Sequence, residues 1–501
     1  MSSRPNSTSL LYPAGSVLIG LLATQVLASL HVYLSNAELY RKVKLIAEAG
    51  YVAVPNEHIM PGLREFNPAF FGGCFFTLSL GAGLSLFSLA GAWAWDRLCG
   101  RNRVVLIPVI FLWSAAIVAV NIKEFCPMVT AYFVFIPPVV FFFTLKWMPQ
   151  QTGESLWLKL CIYFLPVLAL AVMWTSQADR SLFLNIRDFL LLSNRVGEKI
   201  NDFYYRYTLY PAQSFKSLDQ KLLRTCTLSR VRDEVVARRI ESQLLRYDYL
   251  PLRPDIPVDL EVSGSENTLV FKHEGITVLQ TTLKDFLYNP RKVLRDFSIK
   301  TDRFAVFRQA TIFSLLIGFP LTLYIIGYAM FRFLLRCFLG SLSSSAVAAI
   351  LCFSTGLASL VPVYCGRAET INSVQLPEAL SSLQWQKRVA ALRTVVRSGQ
   401  DIGNFRGYRR MLVSRHVPER YWLAKALGVS RRPETYQDLL ALLDDPNANV
   451  VCMAFQGLGQ RGDRRAEKDI LKRIRASNHW YEQWYAYRAL RALGWKQKRS
   501  K

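Results

Sequence analysis

Seven stretches of the chain are apolar for long enough to cross a bilayer as helices, over about residues 10–34, 69–95, 104–121, 128–145, 155–175, 305–331 and 341–363. The criterion is physical: a hydrocarbon core of about 30 Å takes roughly 20 helical residues. A polar interval, 176–303, separates the fifth stretch from the sixth, and a second polar region follows the seventh. The pattern predicts a polytopic α-helical membrane protein: a bundle over 1–175, a polar domain over 176–303, two further spans within 304–365, and a separate polar region over 374–496. The first stretch is long for the apolar part of a signal peptide and is followed by no small-x-small cleavage site, so it reads as an uncleaved anchor.

The spans carry packing features rather than chemistry. Gly72, Gly73, Gly81, Gly83 and Gly91 dot the second, and small residues let a neighbouring helix approach closely in lipid. Pro137 and Pro138 remove donors in the middle of the fourth and predict a kink there. His31, Gln25 and Asn121 are the only strongly polar groups in the span cores, which argues against a proton-coupled pump. The five histidines form no His-Glu-x-x-His group and the nine cysteines form no Cys-x-x-Cys pair. The sequence therefore implies no metal and no cofactor, and buried free thiols are expected.

The polar interval changes period along its length. Residues 181–211 interleave Leu and aromatic residues with Arg and Lys, which suits a helix at the membrane surface or against the bundle. Ser217 and Gln220 have the spacing of a capping box. Leu218, Leu222, Cys226, Val231, Val235, Ile240 and Leu244 then continue at near-helical spacing, predicting one long helix. Pro251, Pro254 and Pro257 end it. Short β-branched runs around Glu274-Gly275 predict strands joined by a hairpin, and Asn289-Pro290 interrupts a final helix over 284–300. The interval reads as α+β, with no nucleotide-binding glycine loop and no nucleophile elbow.

The region after residue 374 repeats. RVAALR, RYWLAKALG, VVCMAFQGLG and WYAYRALRALG recur, and aligning Leu392, Leu427, Leu458 and Leu493 gives spacings of 35, 31 and 35 residues. That is the length of a two-helix unit. The glycine closing each Ala-Leu-Gly is expected to take the left-handed C-cap. The stretch ETYQDLLALLDDPNANVVCMAFQGLGQRGDRRAEKDILKRI resembles a HEAT repeat of the short, phycobilisome-lyase-like type, LLxLLxDPxxxVxxxAxxxLGxxGDxxA, with Asp445-Pro446 opening the second helix and Gly462-Asp463 in the turn that follows. The resemblance covers about 120 residues, from Val374 to Lys496. It implies an all-α solenoid that binds protein partners, and it implies no bilin chemistry.

Charge sharpens that expectation. The 501-residue chain has a formal net charge of +25, and residues 366–501 hold 26 Lys and Arg against 12 Asp and Glu. Membrane lipid and a protein partner with an acidic surface are therefore the expected partners, ahead of nucleic acid. Trp, Tyr and Arg dominate interface hot spots, so Trp480, Tyr481, Trp484, Arg488 and Arg491 are the candidate partner-binding residues. No catalytic signature appears. The expected function is a non-enzymatic, membrane-anchored scaffold in an inner or plasma membrane, with its repeat in the cytoplasm. The competing expectation is a transporter or channel component whose cue would be a polar cavity beside Asn121, Pro137 and the glycines. A lipid-acting enzyme would have to draw on Asp96, Glu124, Asp179 or Asp188.

Overall fold

The computed structural model describes residues 7–149, 156–176, 182–229, 231, 233–264, 267–365 and 371–499; Asp179 lies outside them. The chain divides into two compact units. One comprises Met1–Ser35, Phe66–Leu182 and Asp302–Pro362, the other Asn36–Glu65, Phe183–Thr301 and Val363–Lys501. The polar interval and the C-terminal repeat, expected as separate domains, thus fall in one unit together with a short stretch near the N-terminus.

The first unit is helical. Among the described residues, six helices are long and apolar enough to cross a membrane: Leu11–Glu48, Phe66–Arg97, Arg103–Val120, Pro127–Trp147, Ala305–Leu335 and Ser341–Tyr364. A further helix spans Leu156–Thr175. The first runs well beyond the predicted end at residue 34, because no glycine or proline stops it before Glu48. The Pro127–Trp147 helix continues through Pro137 and Pro138. Glycines mark the closest helix contacts: a Cβ at Gly83 would overlap Ser314 Oγ, one at Gly20 would overlap Ser85 Oγ, and one at Gly81 would lie 2.6 Å from Thr24 Oγ1. His31 is buried and stacks on Phe76 at 5.5 Å, with its Nδ1 3.3 Å from the Tyr132 hydroxyl. The described carboxylates of this unit are all paired: Asp96 with Arg97 and Arg101, Glu124 with Arg303, and Asp302 with Arg308. Asn121 binds Thr130 and accepts from the Cys126 amide.

The second unit contains a five-stranded sheet in the order β2-β1-β3-β4-β5, where β1 is Arg224–Ser229, β2 Tyr249–Pro251, β3 Leu260–Gly264, β4 Thr268–His273 and β5 Ile276–Thr282. Strand β1 pairs in parallel with β2 and β3, and β3-β4-β5 form an antiparallel meander. The expected hairpin is present, with Glu274 and Gly275 both at positive φ in its turn. The capping box at Ser217 is present as well, but it opens a single short turn, Leu218–Gln220. The predicted long helix from Ser217 is incorrect: its first part is β1, and the helix proper is Glu234–Arg246, capped by Asp233. Thr225, Cys226 and Thr227 are all buried. Thr225, Cys226, Thr227, Leu228 and Ser229 do alternate polar and apolar as a strand does, but the run is short and sits inside the longer near-helical spacing from Leu218 to Leu244, which mimicked a helix. The sheet's core is Cys226, Leu260, Val262, Leu269 and Phe271, packed against Ile240, Leu244, Phe286 and Phe297.

Candidate functional site: the inner face of the repeat

Four inner helices form the backbone of the C-terminal region: Trp385–Ser398, Val417–Val429, Ala448–Arg461 and Trp480–Ala492. Their first residues are 32, 31 and 32 positions apart. A recurring bond fixes the same register. Arg388 Nη1 donates to the Ser382 carbonyl at 2.6 Å, Arg420 Nη1 to the Ser414 carbonyl, and Gln483 Nε2 to the Ser477 carbonyl at 2.7 Å. The equivalent residues are therefore Val395, Leu427, Leu458 and Leu490, which corrects the sequence alignment by three residues in the first and last units.

The side chains behind that ladder tie unit to unit. Arg388 pairs with the buried Glu419, and Arg420 pairs with Asp445 at 2.6 Å. Asn447 caps the third inner helix, two residues after the expected Asp445-Pro446 start. Gly462 does take the left-handed turn, as do Gly399 and Gly494. Gly428 and Gly459 do not. They stay helical because their task is close approach: a Cβ at Gly428 would lie 2.6 Å from Gly457 Cα, and one at Gly459 would lie 3.0 Å from Ala489 Cα.

The chain covers much of this inner face with its own residues. Asp188, fully buried in the helical turn Ile186–Leu191, accepts from Arg187 Nη2 at 2.6 Å, from Arg393 Nη2 at 2.6 Å and from Trp422 Nε1 at 2.8 Å. Asn185 Oδ1 accepts the second Arg393 nitrogen at 2.7 Å. Around this carboxylate the aromatic rings hold cations: Arg187 lies 3.7 Å over Tyr421, Arg393 4.8 Å over Trp422, and Lys425 4.6 Å over Trp422. Burial alone would lower the Arg187 pKa, but the Asp188 carboxylate overcomes it and the group ends raised. Lys425 goes the other way, lowered by burial and then by the Arg187 charge.

The last unit is closed by more distant segments. The Asn56 side chain donates to the carbonyls of Ile474 and Ser477 at 2.8 and 3.0 Å, while its amide donates to Gln483 Oε1 at 2.9 Å. Gln497 exchanges two bonds with the backbone of Val52. Helix ends need such partners for their unpaired carbonyls.

Most of the five predicted partner residues serve these internal contacts. Trp480 is buried, edge-on to Tyr210 at 5.1 Å. Tyr481 packs on Tyr205 at 4.8 Å and shares a 3.0 Å hydrogen bond with the Thr208 hydroxyl. Arg491 pairs with Asp248, which also accepts from the Tyr487 hydroxyl. Trp484 is half-buried under Arg488, whose guanidinium sits 4.5 Å over the ring; Arg488 alone of the five is exposed. The aromatic cluster is thus mostly a contact between the last inner helix and residues 204–210. Burial in a repeat that is covered from within leaves no mark on local composition, so the sequence could not separate this from an exposed hot spot.

The two-helix period, the recurring ladder and the glycine-mediated helix contacts agree with a comparison to known families. Residues 410–493 match the family model of HEAT repeats. The C-terminus of this chain is a HEAT-repeat region. No curated protein and no solved structure matches the chain. The matched stretch holds the second to fourth inner helices of the HEAT region, whereas the first, Trp385–Ser398, lies before it. Among the described residues no group of three or more His, Cys, Asp or Glu is placed to hold a metal ion. Of the carboxylates considered for lipid chemistry, Asp96, Glu124 and Asp188 are all ion-paired.

Proposed function

We propose that this protein is a membrane-anchored scaffold, with no reaction of its own, whose HEAT region docks a protein partner with an acidic surface. One observation carries the reading: a HEAT region, a fold whose repeats commonly serve protein interactions, belongs to a chain whose described residues include six helices apolar enough for a bilayer. The strong basic excess of residues 366–501 supports an acidic partner. Within HEAT repeats, the pattern from Leu439 to Asp463 favours the short phycobilisome-lyase-like type. The anchor is an inner or plasma membrane, with the HEAT region on the cytoplasmic side. The transport reading gains no support from the helix packing, since Gly20, Gly81 and Gly83 adjoin Ser85, Thr24 and Ser314 instead of an opening.

The test is photo-crosslinking in cells from single positions on the full chain. A crosslinker at exposed Gln456 or Lys472 is expected to capture a protein, whereas one at exposed Phe111, in the apolar Arg103–Val120 helix, is expected to capture lipid. Capture of lipid alone from the HEAT positions overturns the scaffold reading.

A further inference from the structure

The 31- and 32-residue spacing of the helix starts, which the backbone ladder supports in the first, second and fourth units, gives every inner helix one equivalent position in a row. The ninth residue of each is Arg393, Lys425, Gln456 and Arg488. All four are polar although the residues just before them, Leu392, Ala424, Phe455 and Tyr487, are buried in every unit. Lys425 is half-buried, and Gln456 and Arg488 are exposed.

The first position of the row is already occupied, by a carboxylate on a peptide. Asp188 and Asn185 together hold the Arg393 guanidinium through two bonds of 2.6 and 2.7 Å. The next cation has no such partner: Lys425 rests on the Trp422 and Tyr421 rings, and no carboxylate among the described residues pairs with it. Arg488 likewise rests on Trp484 without a carboxylate. Around Asp188 the charges do not balance, because Arg187, Arg393 and Lys425 face a single anion, and Arg393 Nε is buried with no acceptor. A half-buried cation held by ring faces, as Lys425 is, gains more from an arriving carboxylate than a fully solvated one, since both the ion pair and the ring contact strengthen as water leaves, while the exposed Arg488 is open to such a partner from solvent.

We propose that the row Lys425–Gln456–Arg488 is the docking line for an extended acidic peptide of a protein partner, whose carboxylates continue along the HEAT region the contact that Asp188 makes at Arg393. The inference rests on the scaffold reading and narrows it to one line of residues. The repeat period is what favours a peptide over a lipid: a headgroup meets one position, whereas the row offers one per unit, with a neutral amide at Gln456 able to bind peptide backbone. The docked chain leaves Asp188 in place and approaches from the exposed side of the row.

The experiment uses the full chain in nanodiscs of phosphatidylcholine, with a fluorescein-labelled oligo-aspartate peptide followed by anisotropy at low salt. The double variant Lys425→Glu with Arg488→Glu is expected to bind about tenfold more weakly, the effect of two modest ion pairs. Lys468→Glu with Lys472→Glu, an equal charge change at exposed residues of the Ala466–Ala476 helix, is expected to leave binding within about twofold. Trp fluorescence melts of both variants confirm folding. Equal losses in both, no loss in the row variant, or no binding by the unaltered protein each overturn the proposal. So does row-dependent sedimentation with phosphatidylserine vesicles in the absence of peptide binding, which would make the row a lipid site. In cells, a row variant that keeps its crosslinked protein partner overturns the docking line and leaves the scaffold reading standing.

Discussion

The two compact units hold themselves together by different chemistry. In the first, helices meet where side chains are smallest: Gly83 faces Ser314, Gly20 faces Ser85, and the described carboxylates are held in pairs such as Asp96–Arg101 and Glu124–Arg303. In the second, carboxylates are taken inside. Asp188, Asp259 and Glu419 are each 3% exposed or less, and each is bound by at least two donors from other segments. In a bilayer, whose tails are as apolar as leucine, burying one more methyl group would not draw such helices together, and steric fit would have to do it. In the polar unit, strands and helices distant in sequence must find one register among several with similar apolar burial. A buried carboxylate selects that register, since any mispairing leaves it unpaired.

The largest test of this contrast is Asp188→Ala. It leaves Arg187, Arg393 and Lys425 facing one another without an anion, and the expected loss is about 3–5 kcal/mol, read from thermal unfolding followed by Trp422 fluorescence. An unchanged melting profile would remove Asp188 from the role of pin. Gly83→Val attacks the other unit by volume instead of charge. Overlap with Ser314 predicts about 1–3 kcal/mol of destabilisation, measured as the denaturant midpoint in detergent. A variant as stable as the parent would show that the helices part there at no cost.

Acid separates the two units by a smaller effect. Burial alone would raise the Asp259 pKa, but the Lys42 and Lys221 ammonium groups hold it below the usual carboxylate range. A depressed carboxylate contributes stability that is complete above its unfolded value near 4 and declines as the pH falls further, by at most about 1.4 kcal/mol per pH unit. The melting temperature of the polar unit is therefore expected to drop on going below about pH 4, and Asp259→Asn is expected to flatten that drop. A variant with the parent's acid slope would place the pH sensitivity on other groups.

How much of this was legible beforehand depended on whether the governing contact was local. The apolar helices, the Ser217 capping box, the Glu274-Gly275 hairpin and the two-helix period all follow from residues within a few positions of one another, although the stretch over 155–175, expected as one of seven spans, is not among the six described helices long and apolar enough to cross a membrane. Strand β1 did not, because the short alternation Thr225-Cys226-Thr227-Leu228-Ser229 sits inside a longer near-helical spacing of apolar residues, and its parallel partners, Tyr249–Pro251 and Leu260–Gly264, lie further along the chain. The repeat alignment slipped in the first and last units because Leu392 and Leu493 compete with Val395 and Leu490, and only the Ser382, Ser414 and Ser477 carbonyls decide between them. The site suffered most. Trp480, Tyr481 and Arg491 look like surface anchors by type, yet their partners, Tyr210, Tyr205 and Asp248, lie more than two hundred residues earlier. Asp188 was visible only as a carboxylate near a span end, and Asn56 carried no signal at all.

Asn56 also sets a schedule for the making of this protein. Its side chain closes a helix end whose Ile474 carbonyl is 418 residues further along the chain. At a synthesis rate of about 5–20 residues per second, the ribosome supplies that carbonyl roughly 20 to 80 s after Asn56 itself. Throughout that interval the residues from 36 to 65 wait without the carbonyls they will close. The polar unit therefore cannot close at Asn56 until residue 474 has been made, and a chain that stops short of it leaves its own beginning unfinished.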